Sequence, residues 1–168
     1  VDVEAPADWL GSALRRLASE GAAVASPEDA AEGIPDPPAS NLRPYQREGV
    51  LWLRRLEQCG FAGILADDMG LGKTLQTLAW LSMPRCHPDA RGRPSLVVCP
   101  TSLIENWAQE AARFTPSLRV RVVAGAARHS EWTHLDEHDL LITSYALLRR
   151  DIEHWRNIRL AAVVLDEA

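Results

Sequence analysis

Residues 65–74 read LADDMGLGKT and follow an apolar run, so the chain passes from a buried-looking segment through two closely spaced glycines into Lys73 and Thr74. That order fits a strand feeding a helix through a tight turn. Glycine has no Cβ, so Gly70 and Gly72 let the backbone turn sharply and approach a ligand. A helix starting there offers free N–H groups and the positive end of its dipole to an anion. The usual phosphate cradle is G-x-x-x-x-G-K-[ST], and its first glycine would stand where this chain has Asp67. Asp67 lies on the strand side of the loop, so its presence removes one permissive position and leaves the nest at the helix start. Asp67 and Asp68 would repel phosphate, so their carboxylates are expected to point away or be paired. The competing reading of Gly-x-Gly-Lys-Thr alone is a chance helix start.

Lys73 weighs against chance. It is the single lysine among eighteen basic residues, the other seventeen being arginine. Biased coding accounts for the arginines and not for the exception. A compact ammonium on a flexible stem reaches β- and γ-phosphates as a point charge, and a planar guanidinium is not interchangeable with it. The Thr74 hydroxyl is then placed to ligate Mg²⁺.

The net charge of −5 is unevenly spread. Residues 1–40 carry −6 and residues 41–168 carry +1, so the acidity sits in the leader. Neither part is the basic surface that dominates nucleic-acid affinity, and any such contact must be local. No apolar run approaches the roughly 20 residues of a membrane span, and no signal peptide is visible. Cys59, Cys86 and Cys99 have no metal-ligand spacing, despite the Cys86-His87 pair, and read as reduced thiols.

Residues 1–20 hold a short amphipathic pattern (Trp9, Leu10, Leu14, Leu17), and residues 21–40 form an Ala-, Pro- and acid-rich linker. The folded body is expected from residue 41 onward. Helices are predicted over 43–58, 72–82, 102–114 and 144–150, the first with Tyr45, Gly49, Trp52, Leu53 and Leu56 on one face. Strands are predicted over 61–66, 95–99, 118–124, 139–143 and 160–165. Alternating helices and continuous apolar strands imply an α/β domain, a mostly parallel sheet covered by helices on both faces. The segments after four of these strands are DDMGLGKT, Pro100-Thr101-Ser102, Thr143-Ser144-Tyr145 and Asp166-Glu167. In a parallel sheet they share the carboxyl edge, where open α/β sheets bind ligands.

Asp166-Glu167 closes a six-residue apolar run, as a Walker B strand does. Asp166 would hold Mg²⁺ through water and Glu167 would polarise an attacking water. Two adjacent carboxylates need a cation nearby or one takes up a proton. The alternative is an Asp capping a helix after a buried strand.

Five stretches together resemble the Swi/Snf-related branch of superfamily-two helicase-like ATPases. LRPYQREGVLWL (42–53) looks like its Q-type motif. LADDMGLGKT looks like its motif I, where Asp at this position is usual. VVCPTSLIENWAQE (97–110) resembles motif Ia with an Asn-Trp extension, LLITSYALLRRD (140–151) resembles motif Ib, and VVLDEA (163–168) resembles motif II cut short before its fourth residue. The resemblance covers residues 41–168 and implies the first RecA-like P-loop lobe of a DNA-dependent ATPase. It implies that Gln46 bonds the adenine edge. Asp68, Met69, Gly70, Leu71, Gly72, Lys73, Thr74 and Leu75 would form the ATP loop. Thr74 and Asp166 would serve Mg²⁺, and Lys73 and Glu167 the chemistry. Pro100, Thr101, Ser102, Thr143, Ser144 and Tyr145 would lie along the nucleic-acid track, with Asn106 and Trp107 as further candidates. For Trp107, Trp52 and Trp80, packing in the core is the favoured reading. The implied partners are double-stranded DNA and a second RecA-like lobe in cis that supplies arginines. The chain starts at Val1 and stops at Ala168 inside a motif, so it is expected to be a piece of a longer protein that hydrolyses ATP poorly alone. Double-stranded-DNA translocation is favoured over strand separation or a nucleotide-gated module without turnover. The expected location is cytoplasmic, on the bacterial nucleoid if the coding bias is bacterial.

Overall fold

A computed structural model describes residues 42–68, 70–125, 132 and 134–167. The leader, with its expected helix and linker, and Met69 lie outside the described residues. In order, the elements are α1 (Pro44–Gln58), α2 (Lys73–Leu81), β1 (Ser95–Cys99), α3 (Ile104–Phe114), β2 (Val120–Val122), β3 (Leu140–Ser144), α4 (Tyr145–Arg150), α5 (Ile152–Trp155) and β4 (Val163–Leu165). Single 3-10 turns lie at Pro88–Ala90, Thr101–Leu103 and Leu135–Glu137.

The strands form one sheet in the order β2-β3-β1-β4, and every pairing is parallel. The two central strands, β1 and β3, are buried along their whole length, as strands covered on both faces must be. Successive side chains on a strand point to opposite faces. Val97, Cys99, Leu140 and Ile142 therefore join Leu78 and Leu81 of α2 and Ile104, Trp107 and Ala111 of α3 on one face. Leu96, Val98 and Leu141 join Val123, Leu135 and Trp155 on the other. The sheet is thus a two-sided core, as the apolar runs predicted.

Two expectations are corrected. Residues 61–66 are not a buried strand; they form no ladder, and Ile64 is 86% exposed. A strand exists only by pairing, and no described residue pairs with this segment or with the outer edge of β4, where Val163 and Leu165 are exposed. The glycine loop therefore joins the body through α2 rather than from the end of a sheet strand.

The second correction concerns α1. Its buried positions are Gln46, Val50 and Arg54, spaced by four, while Tyr45 and Trp52 are exposed. The helix is rotated from the face its apolar residues mark, because two polar side chains find partners inside. Arg54 bonds Glu57 and the Pro84 carbonyl. Arg85, also buried, donates to the carbonyls of Trp80, Leu81 and Met83 at 2.6–3.0 Å, and its guanidinium lies over the Trp80 ring. Gly49 lets α1 approach α2 closely: a Cβ there would stand 2.0 Å from Oε1 of Gln76.

Candidate nucleotide site

The site is built on the first turn of α2. Gly72 is its N-cap, with φ of 76° in the left-handed region, and no side chain caps the helix. The first N–H groups of a helix have no intrahelical partner, so this start is open to an anion. Gly72 is required twice over, since a Cβ would also meet Nε2 of Gln46 at 2.5 Å. Lys73 folds back over the loop and donates from Nζ to the carbonyls of Asp67 at 2.8 Å and Asp68 at 3.1 Å. The ammonium thus closes the loop around the helix start, and a phosphate arriving there would compete for it with two neutral carbonyls.

Asp67 is paired, as its place beside a phosphate nest demands. Its Oδ2 accepts from Nε2 of Gln76 at 3.0 Å. Gln76 is 1% exposed on an otherwise apolar helix face. Sequence reading passed over it, and a lone glutamine three residues after Lys73 was the available signal. Gln46 is committed to the loop: Nε2 donates to the Leu71 carbonyl at 3.1 Å, and Oε1 accepts from the Arg43 N–H at 3.0 Å. The Tyr45 hydroxyl reaches the same Leu71 carbonyl at 3.3 Å. Gln46 therefore holds the loop in shape, a role that the expected adenine contact did not include. A groove of about 450 Å³ beside the loop is bounded by Tyr45, Gly49, Trp52, Ile64, Asp67 and Gln76 among others.

At the carboxyl edge of the sheet, the parallel register brings the ends of β1, β3 and β4 together. Asp166 follows β4, and its N–H donates to the Val98 carbonyl at 2.9 Å. Its Oδ2 accepts from the Trp107 indole N–H at 2.7 Å, and its carbonyl accepts from the Tyr145 hydroxyl at 2.9 Å. Glu167 is exposed, with φ of 51°, a left-handed conformation uncommon outside glycine. The charge of Asp166 is felt nearby. Burial first, then this carboxylate, pushes the Cys99 thiol up to about 11, and the same two causes raise the Tyr145 phenol. Both groups therefore stay protonated at neutral pH and serve as donors, Cys99 toward the Thr143 carbonyl at 3.8 Å.

The residues expected along a nucleic-acid track divide. Thr101 and Ser102 are exposed at the edge and Pro100 is partly so. Thr143 and Ser144 are corrected: they are 0% and 2% exposed, and their hydroxyls serve the fold. Thr143 donates to the Val123 carbonyl, and Ser144 caps α4 by accepting from the Leu147 N–H. Tyr145 faces Asp166. Asn106 is exposed, bonded to Glu110 one turn on. Trp107 and Trp80 pack inside as favoured, Trp80 donating to Glu57, whereas Trp52 lies at the surface.

The sequence model described as the SNF2-related domain matches residues 45–168. The chain belongs to the SNF2-related family. Among its relatives are helicase SWR1 of Eremothecium gossypii, 38% identical over 142 residues, and the putative ATP-dependent helicase/translocase YwqA of Bacillus subtilis, 38% identical over 150 residues. The matches cover 80% and 83% of this chain but only 10% and 16% of those proteins. A solved structure described as the Sulfolobus solfataricus SWI2/SNF2 ATPase core in complex with dsDNA superposes with a TM-score of 0.69 at 40% identity. It covers 80% of this chain and 27% of the solved one. The four-stranded parallel sheet is thus the RecA-like α/β fold of an SNF2-related domain.

Proposed function

We propose that this chain is the ATP-binding lobe of a DNA-dependent ATPase that translocates on double-stranded DNA. The observation that carries it is the uncapped start of α2, with Gly72 in the left-handed region and Lys73 held over the loop. The phosphates of ATP would take the helix N–H groups and Lys73 Nζ, while Gln76 keeps the Asp67 carboxylate turned away. Asp68, Gly70, Leu71, Thr74 and Leu75 complete the loop, and Met69 belongs to it by sequence.

The oxygen donors here suit Mg²⁺, a hard cation that binds through one or two carboxylates, water and substrate phosphates rather than a protein cage. Thr74 and Asp166 would hold the ion, which would offset charge on the transferred phosphoryl group. Glu167 would orient the attacking water, and its exposure leaves it free to do so. Thr101 and Ser102 remain the side chains proposed to meet the DNA backbone, since hydroxyls and backbone N–H groups bind phosphate without strong positive charge. Turnover is proposed to need a second lobe in cis, because an arginine finger typically contributes roughly 10³ to 10⁵ in rate. A cytoplasmic location, on DNA, is proposed with it.

The test is calorimetry of Mg-ATP binding with Lys73→Ala. Binding should be abolished, and unchanged affinity refutes the assignment. Steady-state ATPase with duplex DNA, beside a protein extended through a second lobe, tests translocase chemistry. Strong DNA-stimulated turnover by residues 1–168 alone would contradict the two-lobe mechanism.

A further inference from the structure

Asp166 is held by bonds to three of its own atoms from three different segments. Its N–H donates to the Val98 carbonyl of β1, its carbonyl accepts from the Tyr145 hydroxyl at the start of α4, and its Oδ2 accepts from the Trp107 indole of α3. The last contact is the unusual one. Trp107 is 2% exposed and wedged among Leu78, Val97, Cys99 and Ile142. A buried indole N–H usually finds an acceptor, but burial alone does not force it here. Trp132 and Trp155, packed on the opposite face of the sheet, have buried indole nitrogens without a hydrogen-bond partner among the described residues. Trp107 instead spends its donor on a carboxylate at the ligand edge, at the short distance typical of charge-assisted bonds.

We propose that Trp107 is a positioning residue for the metal-binding carboxylate: its indole N–H fixes the Asp166 side chain so that the second oxygen is presented to the metal's water. The inference rests on the nucleotide reading above and deepens it. The ring is fixed by close packing of α3 against α2, β2 and β3, so the direction of its N–H is set by the core. The bond occupies Oδ2 and leaves Oδ1. Tyr145 fixes the main chain of the same residue, so neither the carboxylate nor its backbone is left to swing. Glu167, one residue on, has no such hold among the described residues and is exposed. The adjacent pair is therefore divided into one fixed and one adjustable acid, matching a ligand and a water-orienting group. Partners that orient a metal's ligands typically change metal affinity by roughly 10–100-fold when removed.

The test replaces Trp107 with benzothienylalanine, which keeps the ring shape and exchanges the N–H for sulfur. ADP affinity is measured by calorimetry across a Mg²⁺ titration and again without metal, together with the unfolding midpoint. The expected result is a Mg²⁺ midpoint weakened by roughly tenfold or more, with metal-free ADP affinity unchanged and an unfolding midpoint lowered only by the loss of one hydrogen bond to a carboxylate. Trp107→Phe, which also lacks the donor, should show the same metal shift wherever it folds. An unchanged Mg²⁺ midpoint in the isostere overturns the proposal, as does a loss of ADP affinity equal with and without metal, since that marks a merely structural tryptophan. If the parent protein binds ADP with no Mg²⁺ dependence at all, the metal assignment fails with it. If the parent does not bind ADP, the nucleotide reading itself fails, an outcome distinct from a shift confined to the variants.

Discussion

Glu57→Ala should destabilise the protein by about 3 kcal/mol, at the low end of the range for breaking a buried ion pair. Glu57 stands at the end of α1 with a side chain 12% exposed, beside Arg54 at 9% and Arg85 at 8%. Its Oε2 accepts from Arg54 at 3.1 Å and from the Trp80 indole at 3.0 Å, and its Oε1 accepts from the Cys86 N–H at 3.0 Å. Alanine leaves all three donors and two buried guanidiniums without the carboxylate. The low end applies because the guanidiniums keep other partners: Arg54 the Pro84 carbonyl, Arg85 the carbonyls of Trp80, Leu81 and Met83. A loss of that size is a large part of an ordinary domain's stability, typically about 5–15 kcal/mol. Its pH dependence has a definite sign. Burial by itself would raise the Glu57 pKa, but the Cys86 N–H, Arg85, the Trp80 indole and Arg54 outweigh it and hold the carboxyl below its ordinary 4.5. A lowered folded pKa gives stability that is full above the unfolded value and is lost as pH falls through the folded one. Urea denaturation of both proteins should therefore show a constant gap between pH 6 and 8 and a narrowing gap below about 4.5. A gap under about 1 kcal/mol at neutral pH, or one that persists undiminished in acid while both proteins remain folded, would refute the reasoning.

Gly72→Ala should cost about 1–2 kcal/mol for the left-handed backbone alone. It should also weaken ATP in calorimetry by displacing the Gln46 amide from the loop; a stable variant with unchanged affinity would contradict both. Cys99, buried and with its thiol held near 11, should resist iodoacetamide at pH 8 in the folded protein and react only in denaturant. Peptide mass spectrometry reads this directly, and labelling of native protein at Cys99 would count against the site geometry.

The parallel sheet and the helix after the glycine loop were legible because their signals are periodic or punctuated. Continuous apolar runs mark β1 and β3, buried on both faces, and Gly-x-Gly-Lys-Thr marks the start of α2. Residues 61–66 misled for the same reason: an apolar run reports a wish to be buried, whereas a strand also needs a neighbour, which the run itself cannot supply. The buried face of α1 was illegible for the opposite reason. Gln46 and Arg54 are polar, and nothing local says that carbonyls 25 and 30 residues away in sequence will receive them.

The same asymmetry decides which site residues survive. A hydroxyl at a strand end has two uses, toward a ligand or toward its own backbone, and sequence assigns no preference. Thr143 and Ser144 are taken by the backbone; Thr101 and Ser102, one strand over, are exposed. Motif reading therefore identified the segments that reach the edge and overcounted the side chains available there. It passed over Gln76 and gave Gln46 and Trp107 other roles than holding the loop and the strand end. Gln76 holds Asp67, Gln46 holds Leu71, and Trp107 holds Asp166. Each is a polar atom in or beside the core, where an unpartnered group is costly and a partnered one is rigid. In this lobe the polar groups buried beneath the loop and the strand ends set the geometry that the exposed ones use.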